Sequence, residues 1–143
     1  SSPLAANAYV LCDVFTIPER RIQRSDGKMV SPGTPILYYR ANPASKMINW
    51  ADADGPERSI YCARDNVPLV NLGRVADGAK PLPMRRRHRW DSTVVNLDVF
   101  YNFIRDPKVD ARFWPQRPDS YILISAGADG LYGTDDDICN FGR

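Results

Sequence analysis

The C-terminal stretch constrains the fold more than any other part of this chain. From Ser125 to Phe141 it reads Ser-Ala-Gly-Ala-Asp-Gly-Leu-Tyr-Gly-Thr-Asp-Asp-Asp-Ile-Cys-Asn-Phe. Asp129, Asp135, Asp136 and Asp137 crowd four carboxylates into nine positions, punctuated by Gly127, Gly130 and Gly133. Like charges at that density repel, so the segment either lies fully in solvent or closes around a cation. Calcium suits it, because that hard ion takes about 6–8 oxygens from carboxylates, carbonyls and water. Magnesium suits it less, because it demands tight octahedral geometry and keeps its waters. The glycines admit positive φ and let the backbone turn carbonyls inward. The spacing is not that of an EF-hand, which wants D-x-[DN]-x-[DN]-G and a later glutamate. An acidic surface loop made only of turns is the competing reading.

The residues leading into this stretch predict an α+β domain. Ser120–Ile124 and Pro35–Arg40 are short, rich in β-formers and bounded by turn residues, as strands are. Residues 3–15 predict a helix: Pro3 suits a first turn, and Leu4, Ala8, Leu11 and Phe15 form one stripe. Beginning so abruptly, it reads as the C-terminal part of a longer helix. Residues 92–105 predict a second helix, with Ser92 as N-cap and apolar residues at 94, 97, 100, 101 and 104 on one face. Residues 18–34 are polar and turn-rich, with Asp26-Gly27 as one turn. Residues 43–92 are the least regular, and short strands or turns packed on the sheet are expected there. Proline and glycine, 12 and 9 of 143 residues, somewhat exceed an average of about 12% together and favour short elements joined by long loops. The expected architecture is one domain over 1–143. An N-terminal helix (1–17) packs on a small antiparallel sheet, a variable region (18–117) holds one strand and one helix, and a strand and acidic loop (118–143) close the chain.

Several classes are excluded. The single histidine, His88, rules out a multi-histidine metal site. There is no G-x-S-x-G, H-E-x-x-H or phosphate-binding glycine loop, so no enzyme activity is expected. Cys12, Cys62 and Cys139 lack the C-x-x-C spacing of zinc or redox sites and allow three pairings, of which Cys62–Cys139 is preferred because it would stiffen the acidic loop. No apolar run approaches the roughly 20 residues of a membrane span. The net charge, 19 − 17 = +2, is too small to mark a nucleic-acid binder. That charge is unevenly spread: Arg85, Arg86, Arg87 and Arg89 beside Trp90 form the one dense basic run. It is a candidate interaction patch, suited to phosphates and a stacked base or to acidic patches on neighbouring subunits.

The C-terminal residues resemble a known family. Ile124-Ser-Ala-Gly-Ala-Asp-Gly130, then Gly133-Thr-Asp-Asp-Asp-Ile138, then Asn140-Phe141, is similar to the closing loop of the type II secretion major pseudopilins, which are pilin-like proteins. Gly33-Thr-Pro-Ile-Leu-Tyr-Tyr-Arg40 resembles a strand of the same family. The resemblance covers about a fifth of the chain. It implies a membrane-anchored N-terminal helix, of which 1–17 would be the remnant, followed by a small sheet and a calcium-binding loop. By position, Asp129, Asp135 and Asp137 would be acidic ligands, with the Ser125 and Leu131 carbonyls as backbone ligands. Asp136 falls where the family often has a small residue and is either an extra ligand or a surface charge. The 43–117 region is far longer than the family's usual connection, which marks a divergent member. The implied function is a structural subunit of a pilus- or pseudopilus-like filament, exported to the cell envelope, its partners copies of itself and other pilin-like subunits. The alternative is an exported binding module that recognises polysaccharide or DNA through 43–117.

Overall fold

The sheet is built on alternation. A computed structural model describes residues 9–17, 20–48, 59–74, 88–90 and 97–142. Strand β3 (Leu37–Arg40) buries Leu37 and Tyr39 and exposes Tyr38 and Arg40. Strand β4 (Tyr121–Ser125) buries Ile122 and Ile124 in the same rhythm. They pair antiparallel, with Leu37 opposite Ile124 and Tyr39 opposite Ile122, so the four buried side chains share one face. Strand β5 (Ile138–Cys139) adds to the other edge of β4, giving the order β3-β4-β5. A separate two-residue hairpin pairs β1 (Ile22–Gln23) with β2 (Met29–Val30). Gly27 supplies the positive φ its turn needs, and the Asp26 carboxylate accepts the Lys28 N–H.

Among the described residues, two helices pack with the sheet. Helix α1 (Val67–Leu72) falls on the apolar patch of the irregular region, with a proline in its first turn and Val70 buried. Helix α2 (Leu97–Ile104) covers the inner face of the sheet, burying Phe100, Tyr101 and Ile104 completely. Phe100 packs against Tyr39 with ring centroids 4.7 Å apart and the planes tilted by 42°. The expected second helix is therefore present over 97–104, and its first residues, 92–96, lie outside the described residues. Burying each large apolar side chain contributes roughly 1.5–3 kcal/mol, which makes this cluster of tyrosine, phenylalanine and isoleucine the main source of stability.

The N-terminal expectation is corrected. Residues 1–8 lie outside the described residues, but 9–17 are not helical. Cys12 forms a bridge with Pro35, and two backbone bonds flank it, Asp13 N–H to Thr34 and Ile36 N–H to Leu11, both 2.9 Å. The reason is Asp13. One of its carboxylate oxygens accepts the Thr34 N–H at 2.9 Å and the Phe15 N–H at 3.2 Å. A side chain bonded this way competes with helix for the local backbone. The segment approaches residue 33 so closely that a Cβ there would sit 1.9 Å from the Asp13 carbonyl oxygen, so only glycine fits.

The preferred disulfide is also corrected, since no bond joins Cys12, Cys62 and Cys139. Cys139 pairs with Ile124, which lies opposite Leu37. Cys62 lies near the other end of that strand, where the Asn42 N–H bonds the Ile60 carbonyl. Five residues of extended chain separate the two places, about 16 Å at about 3.3 Å per residue, whereas a disulfide needs Cα atoms within about 7 Å. Among the described residues no helix is long and apolar enough to cross a membrane.

Candidate functional site

The acidic loop leaves β4 at Ser125 and returns as β5. Gly127, Gly130 and Gly133 all take positive φ, at 66°, 70° and 88°, and each sits against another part of the molecule. A Cβ on Gly127 would meet the Asp136 carbonyl oxygen at 2.3 Å, and one on Gly130 would meet the Ile17 side chain at 2.7 Å. The loop is anchored below by Tyr132, which is fully buried. Its hydroxyl donates to the Pro35 carbonyl at 2.5 Å, and its N–H donates to Nδ1 of His88 at 3.2 Å. Leu131 packs with Ile17 in a small second cluster. The Ser125 hydroxyl donates to the free oxygen of the Asp13 carboxylate at 2.8 Å, tying the start of the loop to the N-terminal segment.

Three of the four aspartates turn into the loop. Asp136 accepts the Asp129 N–H at 2.9 Å. Asp129 accepts the Leu131 N–H at 2.8 Å. Asp137 accepts the N–H groups of Gly133 and Thr134 at 2.8 and 3.3 Å. The Thr134 hydroxyl stands at their meeting point, 2.6 Å from Asp136, 3.1 Å from Asp137 and 3.1 Å from the Leu131 carbonyl. Asp129 reaches the same hydroxyl and the Asp136 carboxylate. A hydroxyl carries one proton, so it satisfies one of these oxygens at a time. Asp135 is exposed. Asp136 is exposed as well, but it is the one of the pair shown accepting bonds from the loop.

The electrostatics follow this packing. Burial first, and the nearby Asp136 after it, push the Asp129 carboxyl above its ordinary range, although bonds from Leu131 and Thr134 oppose the shift. Burial also disfavours the Asp136 charge, but the Thr134 hydroxyl and the Asp129 N–H outweigh it and hold that carboxyl below the ordinary range.

The fit to a cation is mixed in geometry and good in chemistry. No three His, Cys, Asp or Glu side chains among the described residues stand together as an ion-holding group; the carboxylates gather on the Thr134 hydroxyl instead. The donors are nonetheless all hard oxygens: carboxylates of Asp129, Asp136 and Asp137, the Leu131 carbonyl and the Thr134 hydroxyl. That is the set calcium prefers. Ser125 contributes through its hydroxyl to Asp13, outside this group.

The basic run divides. Arg85, Arg86 and Arg87 lie outside the described residues. Arg89 is exposed, its N–H bonds the Tyr132 carbonyl at 2.8 Å, and its side-chain stem flanks Gly133. Arg89 therefore lies beside the acidic loop of its own molecule. Trp90 is 6% exposed and packs edge-on against Phe100 and Phe103 and over Tyr132. Its place in the interaction patch is corrected: a ring of that size is worth most in the core, and there it cannot stack on a base. Asp13, Tyr132 and Thr134 were missed as site residues. Only Tyr132, an aromatic inside a polar loop, carried a signal in the sequence.

No family model, curated protein or solved structure matches this chain.

Proposed function

We propose that this chain is a structural subunit of a pilus- or pseudopilus-like filament at the cell envelope, its C-terminal loop closed by calcium. The observation that supports the reading is the gathering of Asp129, Asp136 and Asp137 with the Leu131 carbonyl around one hydroxyl proton of Thr134. Calcium would supply there the positive charge that the loop's own groups lack. The chain's own residues do the rest. The glycines fold the loop back on itself, Tyr132 pins it to the core, and Asp13 holds its entry. Residues 9–17 carry no helix for a filament core, so the assembly reading rests on the C-terminal motif and on surface contacts of the heterologous, non-closing kind that build filaments.

Thermal unfolding in millimolar calcium against excess EGTA tests the metal. A ligand bound only by the folded state adds about 2.7 kcal/mol at 100 times its Kd, and a rise in Tm of about 5–10 °C is expected. Identical melting curves would overturn the calcium role. Sedimentation of the protein at rising concentration tests assembly, with species that grow without a fixed stoichiometry expected and a strict monomer refuting it.

A further inference from the structure

The outer face of the sheet presents a group of side chains that neither the core nor the acidic loop uses. The register places Arg40 opposite Tyr121 and Tyr38 opposite Leu123. Tyr38 and Tyr121 are 49% and 40% exposed, with ring centroids 5.8 Å apart at 35°. Two exposed rings side by side on a rigid sheet form a shallow apolar floor of the sort that marks recognition.

Arg117 is fixed beside this floor. It holds φ at 47°, a left-handed value that non-glycine residues seldom adopt, and such strain concentrates where a side chain must be aimed. Its carbonyl accepts the Tyr61 hydroxyl. Its guanidinium donates to the Tyr121 carbonyl at 3.1 Å and the Ser120 hydroxyl at 3.3 Å and lies 5.4 Å from the Tyr121 ring centroid. These bonds use two of its five donor N–H groups. On the other side, Arg40 leads from the tyrosines into a cleft of about 390 Å³, lined also by Asn42, Ser59 and Asp65.

The balance of charge selects the partner. Arg40 shares the cleft lining with Asp65, and Arg117 and Asp119 both act electrostatically on the Tyr61 hydroxyl. A polyphosphate chain needs an excess of positive charge, and here each arginine has a carboxylate nearby. The surface offers aromatic faces flanked by fixed donors and acceptors. A pyranose ring has the complementary surface: a C–H face for the tyrosines and a rim of hydroxyls for guanidinium and carboxylate. The geometry points to a binding site for a neutral polysaccharide, one sugar ring on Tyr38 and Tyr121 and the next beside Arg40 at the cleft. The site shares no residue with the C-terminal loop and stands whether or not that loop binds calcium.

Affinity electrophoresis through gels containing neutral glucans, galactans or mannans, followed by calorimetry with a hexasaccharide of the retained type, tests it. Retention by at least one neutral polymer is expected, little changed at 0.5 M NaCl because no counterions are released. Tyr38→Ala and Tyr121→Ala should each weaken binding about tenfold, whereas Tyr38→Phe and Tyr121→Phe should keep it. Both tyrosines are exposed, and melting curves matching the wild type verify that the variants fold. Retention by no neutral polymer overturns the proposal. So does retention unchanged in the Tyr38→Ala, Tyr121→Ala double variant, or preferential binding of a 20-mer of oligo-dT that falls steeply with salt.

Discussion

A single carboxylate, Asp13, decides how the two ends of the described chain meet. Its oxygens serve Thr34, Phe15 and Ser125 together, reaching 21 residues along the chain in one case and 112 in another. Thr34 is fully buried, so losing its acceptor strands an N–H away from water, at a cost of roughly 1–3 kcal/mol. Asp13→Ala is expected to lower stability by about 2–3 kcal/mol in urea melts, and Asp13→Asn, which keeps one acceptor oxygen, by clearly less. Equal losses would show that the hydrogen bonds do not matter. Nothing near Asp13 announces this role: its partners are distant in sequence, and the stripe of Leu4, Ala8, Leu11 and Phe15 around it spells helix. At the acidic loop the residue types were legible and their directions were not. Four aspartates in nine positions mark the segment, but the fold-back that lets Asp136 accept the Asp129 N–H brings Gly127 onto the Asp136 backbone, a contact no spacing rule contains.

Elements with a strong local period were legible, and those shaped by one distant contact were not. Strands β3 and β4 are short runs of β-formers bounded by turn residues, so their existence follows from the residues, whereas Tyr38 and Tyr39, or Ile122 and Leu123, are too alike to show which side is buried. Helix α2 carries Phe100, Tyr101 and Ile104 on one side, and those are the residues that the sheet buries. Helix α1 was hidden by its proline and its shortness. Residues 9–17 went the other way, their stripe defeated by backbone pairing with 34–36. The loop's shape depends on its glycines, and a matched pair of variants separates conformation from space. Gly27 and Gly127 both hold positive φ, yet a Cβ on Gly27 meets nothing within 4 Å, while one on Gly127 strikes the Asp136 backbone. Gly27→Ala should cost about 1–2 kcal/mol, the price of a left-handed alanine. Gly127→Ala should cost more than that and displace the loop. Equilibrium unfolding reads the first effect, and the chemical shifts of Asp129 to Asp137 read the second. If Gly127→Ala proves as mild as Gly27→Ala, the loop does not close on itself as described.

For the whole molecule, the acidic loop is where folding and protons are coupled, and where the proposed cation would compete with protons. Asp129 sits above the ordinary carboxyl range and Asp136 below it, so their effects on stability run in opposite directions. The raised Asp129 binds a proton more readily folded than unfolded. It therefore favours folding as pH falls through its raised value toward the unfolded value of about 3.9. The depressed Asp136 stabilises above that unfolded value, and its contribution is lost as pH falls further through its folded one. Calcium needs both carboxylates ionised, so the calcium-induced rise in Tm should be largest near pH 7 and fade toward pH 4. Asp129→Asn separates the metal from the fold. The amide oxygen still accepts the Leu131 N–H, while the charge that burial and Asp136 oppose is gone. In EGTA at pH 7 this variant should melt at or above the wild type, by up to about 3 °C. In calcium it should melt below the wild type. That reversal distinguishes a ligand from a structural turn residue, because a side chain needed only for the turn would lower both melting temperatures alike.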